Sequence, residues 1–126
     1  MFPDKHAGIY RNIDVYIRGA THSVVDPVHI YQEMKVYIAN LSTKRFCSPI
    51  EKAAFAHAQL AKIHPFIDGN GRAIRLIMNL SLLNDGYPML NIKKEMRYEY
   101  FLALNQYGEN KDLNPFIKFM ETAMIH

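Results

Sequence analysis

An all-α fold carrying one small β-hairpin is what this sequence predicts, and three observations predict it. Apolar residues recur at helical spacing in five stretches. Proline or glycine stands at most of the breaks between those stretches. Strand-like alternation occurs only near the start, where Ile13, Val15 and Ile17 alternate with Asp14 and Tyr16.

Taken in order, residues 13–17 read as a short strand that turns at Gly19 and Ala20 and returns through Val24 and Val25. Asp26-Pro27 then opens a helix, with Asp26 as N-cap and Pro27 at its first position. Ile30, Met34, Tyr37, Ile38 and Leu41 give that helix one apolar face. Ser48-Pro49 opens the next helix, with Glu51 supplying early negative charge. This second helix carries Ala54, Ala58 and Ala61 among Phe55, Leu60 and Ile63, and its small side chains suit a central position. Residues 64–71 interrupt the pattern. Residues 73–84 resume it, apolar nearly all round, as a buried helix that Gly86 stops and Pro88 keeps from continuing. Residues 93–107 read as a fourth helix ending at Gly108, and Asn114-Pro115 begins a last one that reaches the C-terminus.

The 126 residues make a single domain, 1–126, with material for one core and not two. Apolar residues form 49% of the chain, which excludes a disordered polar chain. A net charge of +3 favours an anionic ligand but is too small to indicate nucleic-acid binding. Cys47 is the one cysteine, so no internal disulfide forms, and no nucleophile motif surrounds it. No apolar run approaches the ~20 residues that span a bilayer. Pro3, Asp4, Lys5 and His6 exclude a signal peptide at the start. A cytoplasmic protein is the expectation. Asn40-Leu41-Ser42 and Asn79-Leu80-Ser81 match a glycosylation sequon, but both fall in helical stretches and read as chance.

The chemistry is concentrated in His64-Pro65-Phe66-Ile67-Asp68-Gly69-Asn70-Gly71-Arg72-Ala73-Ile74-Arg75. The run joins two buried helices. Gly69 and Gly71 flank Asn70 and offer no Cβ to hold a ligand off the backbone. A helix begins there, so N–H groups and the positive end of the dipole face outward, as phosphate requires. Arg72 and Arg75 share a helix face, and each can fork onto phosphate oxygens. Asp68 is a lone carboxylate beside that cradle and suits Mg²⁺, which keeps much of its water. His64 can accept a proton from an attacking hydroxyl near neutral pH. Taken singly, a Gly-Asn-Gly turn, an arginine pair or a histidine before proline is usually only structural. Together they are the parts that phosphoryl or nucleotidyl transfer needs.

This run resembles the Fic-family signature, His-Pro-Phe-x-Asp/Glu-Gly-Asn-Gly-Arg-x-x-Arg, at every specified position. Gly8-Ile9-Tyr10-Arg11 with Val15-Tyr16-Ile17 resembles the family's approach to its β-hairpin flap. Residues 51–57 resemble the helix before the signature, and the likeness covers residues 8 to about 122. It implies a Fic-type helical domain that transfers AMP from ATP to a hydroxyl of a target protein. His64 would be the general base and Asp68 the Mg²⁺ ligand. Gly69, Asn70 and Gly71 would hold the α- and β-phosphates. Arg72 would contact the phosphates, Arg75 would take the terminal phosphate, and Phe66 would be a core anchor. The hairpin at residues 13–25 would dock the target peptide as an added strand. Tyr100 and Leu104 are candidates for an adenine pocket, with ordinary core as the equal alternative. His57 reads as a packing or hydrogen-bonding histidine, since no His-Glu-x-x-His zinc pattern surrounds it.

The likeness also implies helices upstream of residue 1, and an inhibitory Ser/Thr-x-x-x-Glu-Gly/Asn helix that no glutamate here matches. The nearest, Glu109, has Asn105 where Ser or Thr belongs. Residues 1–126 are therefore expected not to inhibit themselves, leaving that role to a missing segment or a separate antitoxin. Kinase, phosphocholine-transfer and AMP-removal chemistries of related proteins remain alternatives, as does a non-enzymatic helical binding module.

Overall fold

The computed structural model describes residues 9–15 and 23–125. It has five helices among those residues: α1 (Ile30–Thr43), α2 (Pro49–Ile63), α3 (Asn70–Asn84), α4 (Arg97–Asn110) and α5 (Asn114–Ile125). Short 3-10 turns at Pro27–His29 and Lys94–Met96 lead into α1 and α4. No strand occurs among the described residues. The turn of the expected hairpin, residues 16–22, lies outside them, and the described stems on either side are irregular.

Helix α2 is the hub. It packs on α1, α3, α4 and α5, most extensively on α3. Ala53, Ala54, Ala56, Ala58 and Ala61 are all buried, so neighbouring helices approach its backbone from several sides. Larger side chains fill the remaining space: Phe55, Leu60 and Ile63 from α2, Met78 and Leu82 from α3, Phe116 and Met120 from α5. Tyrosines tie the layers together. Tyr37 Oη donates to the Ala56 carbonyl at 2.6 Å, and Tyr107 Oη donates to Gln59. Burial pushes both phenols above the usual tyrosine range. The start of α2 is as the sequence indicates. Ser48 caps it by accepting from the Glu51 N–H at 3.1 Å, and Glu51 reaches back to the Cys47 N–H. Cys47 is exposed.

Four local expectations are corrected. Asp26 precedes a 3-10 turn and makes no side-chain cap bond, because the chain enters α1 through Pro27–His29. Ile38 is 55% exposed, since the contact with α2 runs through Ile30, Met34 and Tyr37. Helix α3 is not buried all round. Its Ile74, Met78 and Leu82 row faces the core, while Leu76, Leu80 and Leu83 are at least half exposed. Gly108 does not end α4. It is buried within the helix, its carbonyl accepts from Lys62 Nζ at 2.9 Å, and Lys111 adopts the left-handed termination at φ 57°. Gly86 does stop α3 as expected. At φ 85° it lets the N–H groups of Gly86 and Tyr87 bond the carbonyls of Leu83 and Leu82, closing the last turn.

No described helix is long and apolar enough to cross a membrane. Because Ala54 is fully buried between helices, Ala54→Leu should cost about 1–3 kcal/mol through overpacking, read as a lower urea midpoint. A midpoint equal to wild type would show that α2 is not packed this closely.

Candidate active site

Helix α2 stops at His64, whose backbone is left-handed at φ 49° and ψ 62°. An L side chain rarely takes that conformation unless its surroundings impose it. Here they do. The His64 N–H donates to the Leu60 carbonyl at 2.8 Å. The next carbonyls, of residues 62–65, each accept from outside the helix. Val25 N–H donates to Lys62 O at 3.1 Å, and Arg11 N–H donates to Pro65 O at 2.8 Å. The buried Arg11 guanidinium reaches His64 O at 2.6 Å and Ile63 O at 3.1 Å. Burial lowers the Arg11 pKa, with Asp14 and Asp26 pulling it back up. The turn brings His64 onto the wall of a cavity.

The loop that follows is held by Asn70. Its Oδ1 accepts from the Phe66 N–H at 3.0 Å and its Nδ2 donates to the Phe66 carbonyl at 2.6 Å. Asn70 is buried, so its side chain shapes the loop, and what it offers outward is its backbone. Phe66 in turn packs on Tyr10, ring centroids 5.9 Å apart. Gly69, at φ 83°, caps α3, which starts at Asn70 rather than after the signature's first arginine. Asn70 and Gly71 therefore sit in the first turn, where N–H groups have no acceptor within the helix. This is the positive end of the dipole of a 15-residue helix.

Arg75 lies one turn further on. A Cβ built on Gly71 would sit 3.6 and 3.9 Å from the two terminal nitrogens of Arg75. The fold itself would tolerate that Cβ, since Gly71 has no positive φ and the contact is ordinary. What a methyl would fill is the space above the guanidinium. Among the described residues no carboxylate pairs with Arg75. Asp68 and Arg72 are exposed beside the same helix start.

The cavity has a volume of about 430 Å³. His64, Gly71 and Arg75 form one side, and Tyr100, Phe101 and Leu104 from α4 form another. Asp68, Gly69, Asn70 and Arg72 stand next to it on the loop and first turn, off its wall. The sequence did not mark Ile92, Lys93 and Lys94 from the segment leading into α4, or Arg97 at its start, which also line the cavity. That segment is placed by Asn79, whose side-chain amide pairs with both backbone groups of Leu90 at 2.8 and 3.2 Å. Neither it nor Arg11 carries a local pattern that marks its role.

His57 also lines the cavity, and its Nε2 lies 2.8 Å from Tyr100 Oη, as a hydrogen-bonding histidine should. Its ring also packs on Phe116 at 4.9 Å. Burial, with a smaller push from Arg75, lowers the His57 pKa to about 3. Burial raises that of Tyr100 to about 12, with Arg75 opposing. His57 thus stays neutral in the fold while the unfolded chain protonates it at its ordinary value of 6.5. The unfolded state takes up the proton first, so this group's stability is complete above pH 6.5 and is lost as pH falls toward 3. His57→Gln, which keeps a partner for Tyr100, should lose stability less steeply across that window, by up to one proton. Urea titrations at several pH values would check this, and parallel profiles would exclude His57 as the responsible group.

The profile of the Fic/DOC family matches residues 1–82. The protein adenylyltransferase Fic of Nematostella vectensis is 38% identical over 116 residues, covering 90% of this chain and 26% of its own length. The Caenorhabditis elegans protein adenylyltransferase fic-1 is 35% identical over 116 residues, 90% of this chain and 22% of its length. This chain therefore spans about a quarter of the length of these curated relatives. A solved structure of C. elegans Fic-1 (residues 134–508) superposes with a TM-score of 0.80 at 33% identity, covering 94% of this chain and 34% of that one. A Fic family protein from Desulfovibrio desulfuricans superposes at 0.79 with 27% identity, covering 93% of this chain and 38% of that one. The chain belongs to the Fic/DOC family.

Proposed function

We propose that this domain transfers AMP from ATP to a hydroxyl side chain of another protein. The observation that carries the reading is the meeting of three groups on one cavity of about 430 Å³. They are the imidazole of His64, the open glycine at 71 and the guanidinium of Arg75. The volume is in the range of small-molecule sites. The names of the relatives from N. vectensis and C. elegans support the same chemistry.

In this reading the triphosphate lies over the start of α3. The N–H groups of Gly69, Asn70 and Gly71 face the α- and β-phosphates, with Arg72 beside them, and Arg75 takes the terminal phosphate as a bidentate pair. That leaves the adenine end toward Tyr100 and Leu104. The target hydroxyl, presented by a segment docked along the flap at residues 13–25, attacks the α-phosphorus. A bond forms from the hydroxyl oxygen to that phosphorus. The bond from it to the oxygen bridging to the β-phosphate breaks, and pyrophosphate leaves with the electron pair. His64 takes the hydroxyl proton. Asp68 is an exposed single carboxylate beside the cradle, and no cluster of three or more ligating side chains occurs among the described residues. That donor set fits a phosphate-bound Mg²⁺ that keeps its water, and not a caged metal. When bound, the ion would spread the charge of the departing pyrophosphate.

His64→Ala should retain ATP binding in calorimetry and lower AMP transfer by ~10²–10⁴-fold. Incubation with labelled ATP and Mg²⁺ reads the transfer, and a folded variant working at the wild-type rate would remove His64 from the role. Gly71→Ala separates ligand from fold. Alanine is the better helix former by up to about 1 kcal/mol, so the thermal midpoint should hold or rise. ATP affinity should fall at least about tenfold, or 1.4 kcal/mol, because the methyl occupies the phosphate space. Undiminished affinity would show that the phosphates do not approach residue 71.

A further inference from the structure

We infer that Arg11 is a positioning residue that fastens both stems of the flap to the backbone of His64. The inference rests on the proposed function for its catalytic meaning, but its geometry stands independently. Arg11 is 2% exposed, yet it faces carbonyls. Nε donates to His64 O at 2.6 Å, Nη1 to Ile13 O at 2.8 Å, and Nη2 to both Val25 O and Ile63 O. Four of the five guanidinium N–H groups thus have an acceptor, in the planar spread that only arginine offers. The acceptors belong to three places. Ile13 is on the outgoing stem, Val25 is on the returning stem, and residues 63 and 64 end α2.

The consequence is geometric coupling. The carbonyls of residues 13 and 25 are held together at the same cation, beside the end of α2. Two further contacts reinforce the returning stem: the Val25 N–H on Lys62 O, and Lys62 Nζ within 3.5 Å of Ser23 O. The same guanidinium bonds the carbonyl of the residue whose left-handed backbone aims the imidazole into the cavity. Whatever the flap presents and the base that receives its proton therefore share one mount. Arg11 does not itself line the cavity, so its effect on transfer runs through the backbone of His64 and the segments at residues 13 and 25.

The test compares wild type with Arg11→Ala and Arg11→Lys, the second keeping a cation but not the fork and serving if the first fails to fold. Hydrogen exchange is followed in residues 13–15, in 23–26 and at His64 and Phe66. ATP–Mg²⁺ affinity is measured by calorimetry, and AMP transfer from labelled ATP with and without millimolar ethylguanidinium. We expect exchange to rise in all three places together and ATP affinity to stay within a few-fold. Transfer should fall by up to about 10²-fold, as misplacement of a reacting group does. Ethylguanidinium should restore part of it in Arg11→Ala. Exchange rising in only one of the three places overturns the inference. So does a loss of ATP affinity in proportion to transfer, which would mark general damage. A wild type that transfers no AMP would sink the proposed function, while the exchange pattern would still decide the role of Arg11.

Discussion

Four successive carbonyls, those of residues 62–65, leave the end of α2 without helical partners and find them in residues 11 and 25. A helix end buried in this way must have its acceptors satisfied, because each unmet one costs about 1–3 kcal/mol. Meeting them from the segment before α1 has a second effect. It fixes where α2 stops, and so holds His64 in a backbone conformation that a histidine would not choose alone. The position of the proposed base is thus set by hydrogen bonds to main-chain atoms, none of which involves its ring.

The alanines of α2 complete that arrangement from the other side. Burying five of them lets α3 lie close along the helix, which brings the start of α3 beside the end of α2. The loop between is short and is itself braced by Asn70 on Phe66. The proposed phosphate cradle and the imidazole are thereby held by the same packed elements, the preorganisation that charge-stabilising catalysis relies on.

Much of this was legible in the sequence, and the reasons differ by element. Helices α2 and α5 announce themselves through Ser48-Pro49 and Asn114-Pro115, and α3 ends where Gly86 says it should. The signature loop was legible because its chemistry is packed into twelve consecutive residues. Periodicity failed where burial depends on which neighbours exist. The outward leucines of α3 look identical in sequence to the inward ones. Gly108 looked like a stop and is a point of close approach to Lys62. Arg11 was visible only as part of the approach to the flap and its bonds could not be read, since its four acceptors are carbonyls, which every residue has. The cavity's α4 side was only half visible, because Lys94 and Arg97 reach it through a turn positioned from a distance by Asn79.

That remote support divides the cavity into two separately mounted halves. One half is the end of α2 and the start of α3, where covalent chemistry would be set. The other is α4 with its leading segment, tied to the first through the Asn79 amide on α3 and, from α2, through the His57–Tyr100, Gln59–Tyr107 and Lys62–Gly108 hydrogen bonds. Changes of exposed side chain along the second half can alter the shape of that wall without disturbing the bonds that hold the first. In the proposed reading the choice of nucleotide would fall to α4 and the act of transfer to the ends of α2 and α3, so that a new base preference could arise by drift in α4 while the reacting geometry is inherited unchanged.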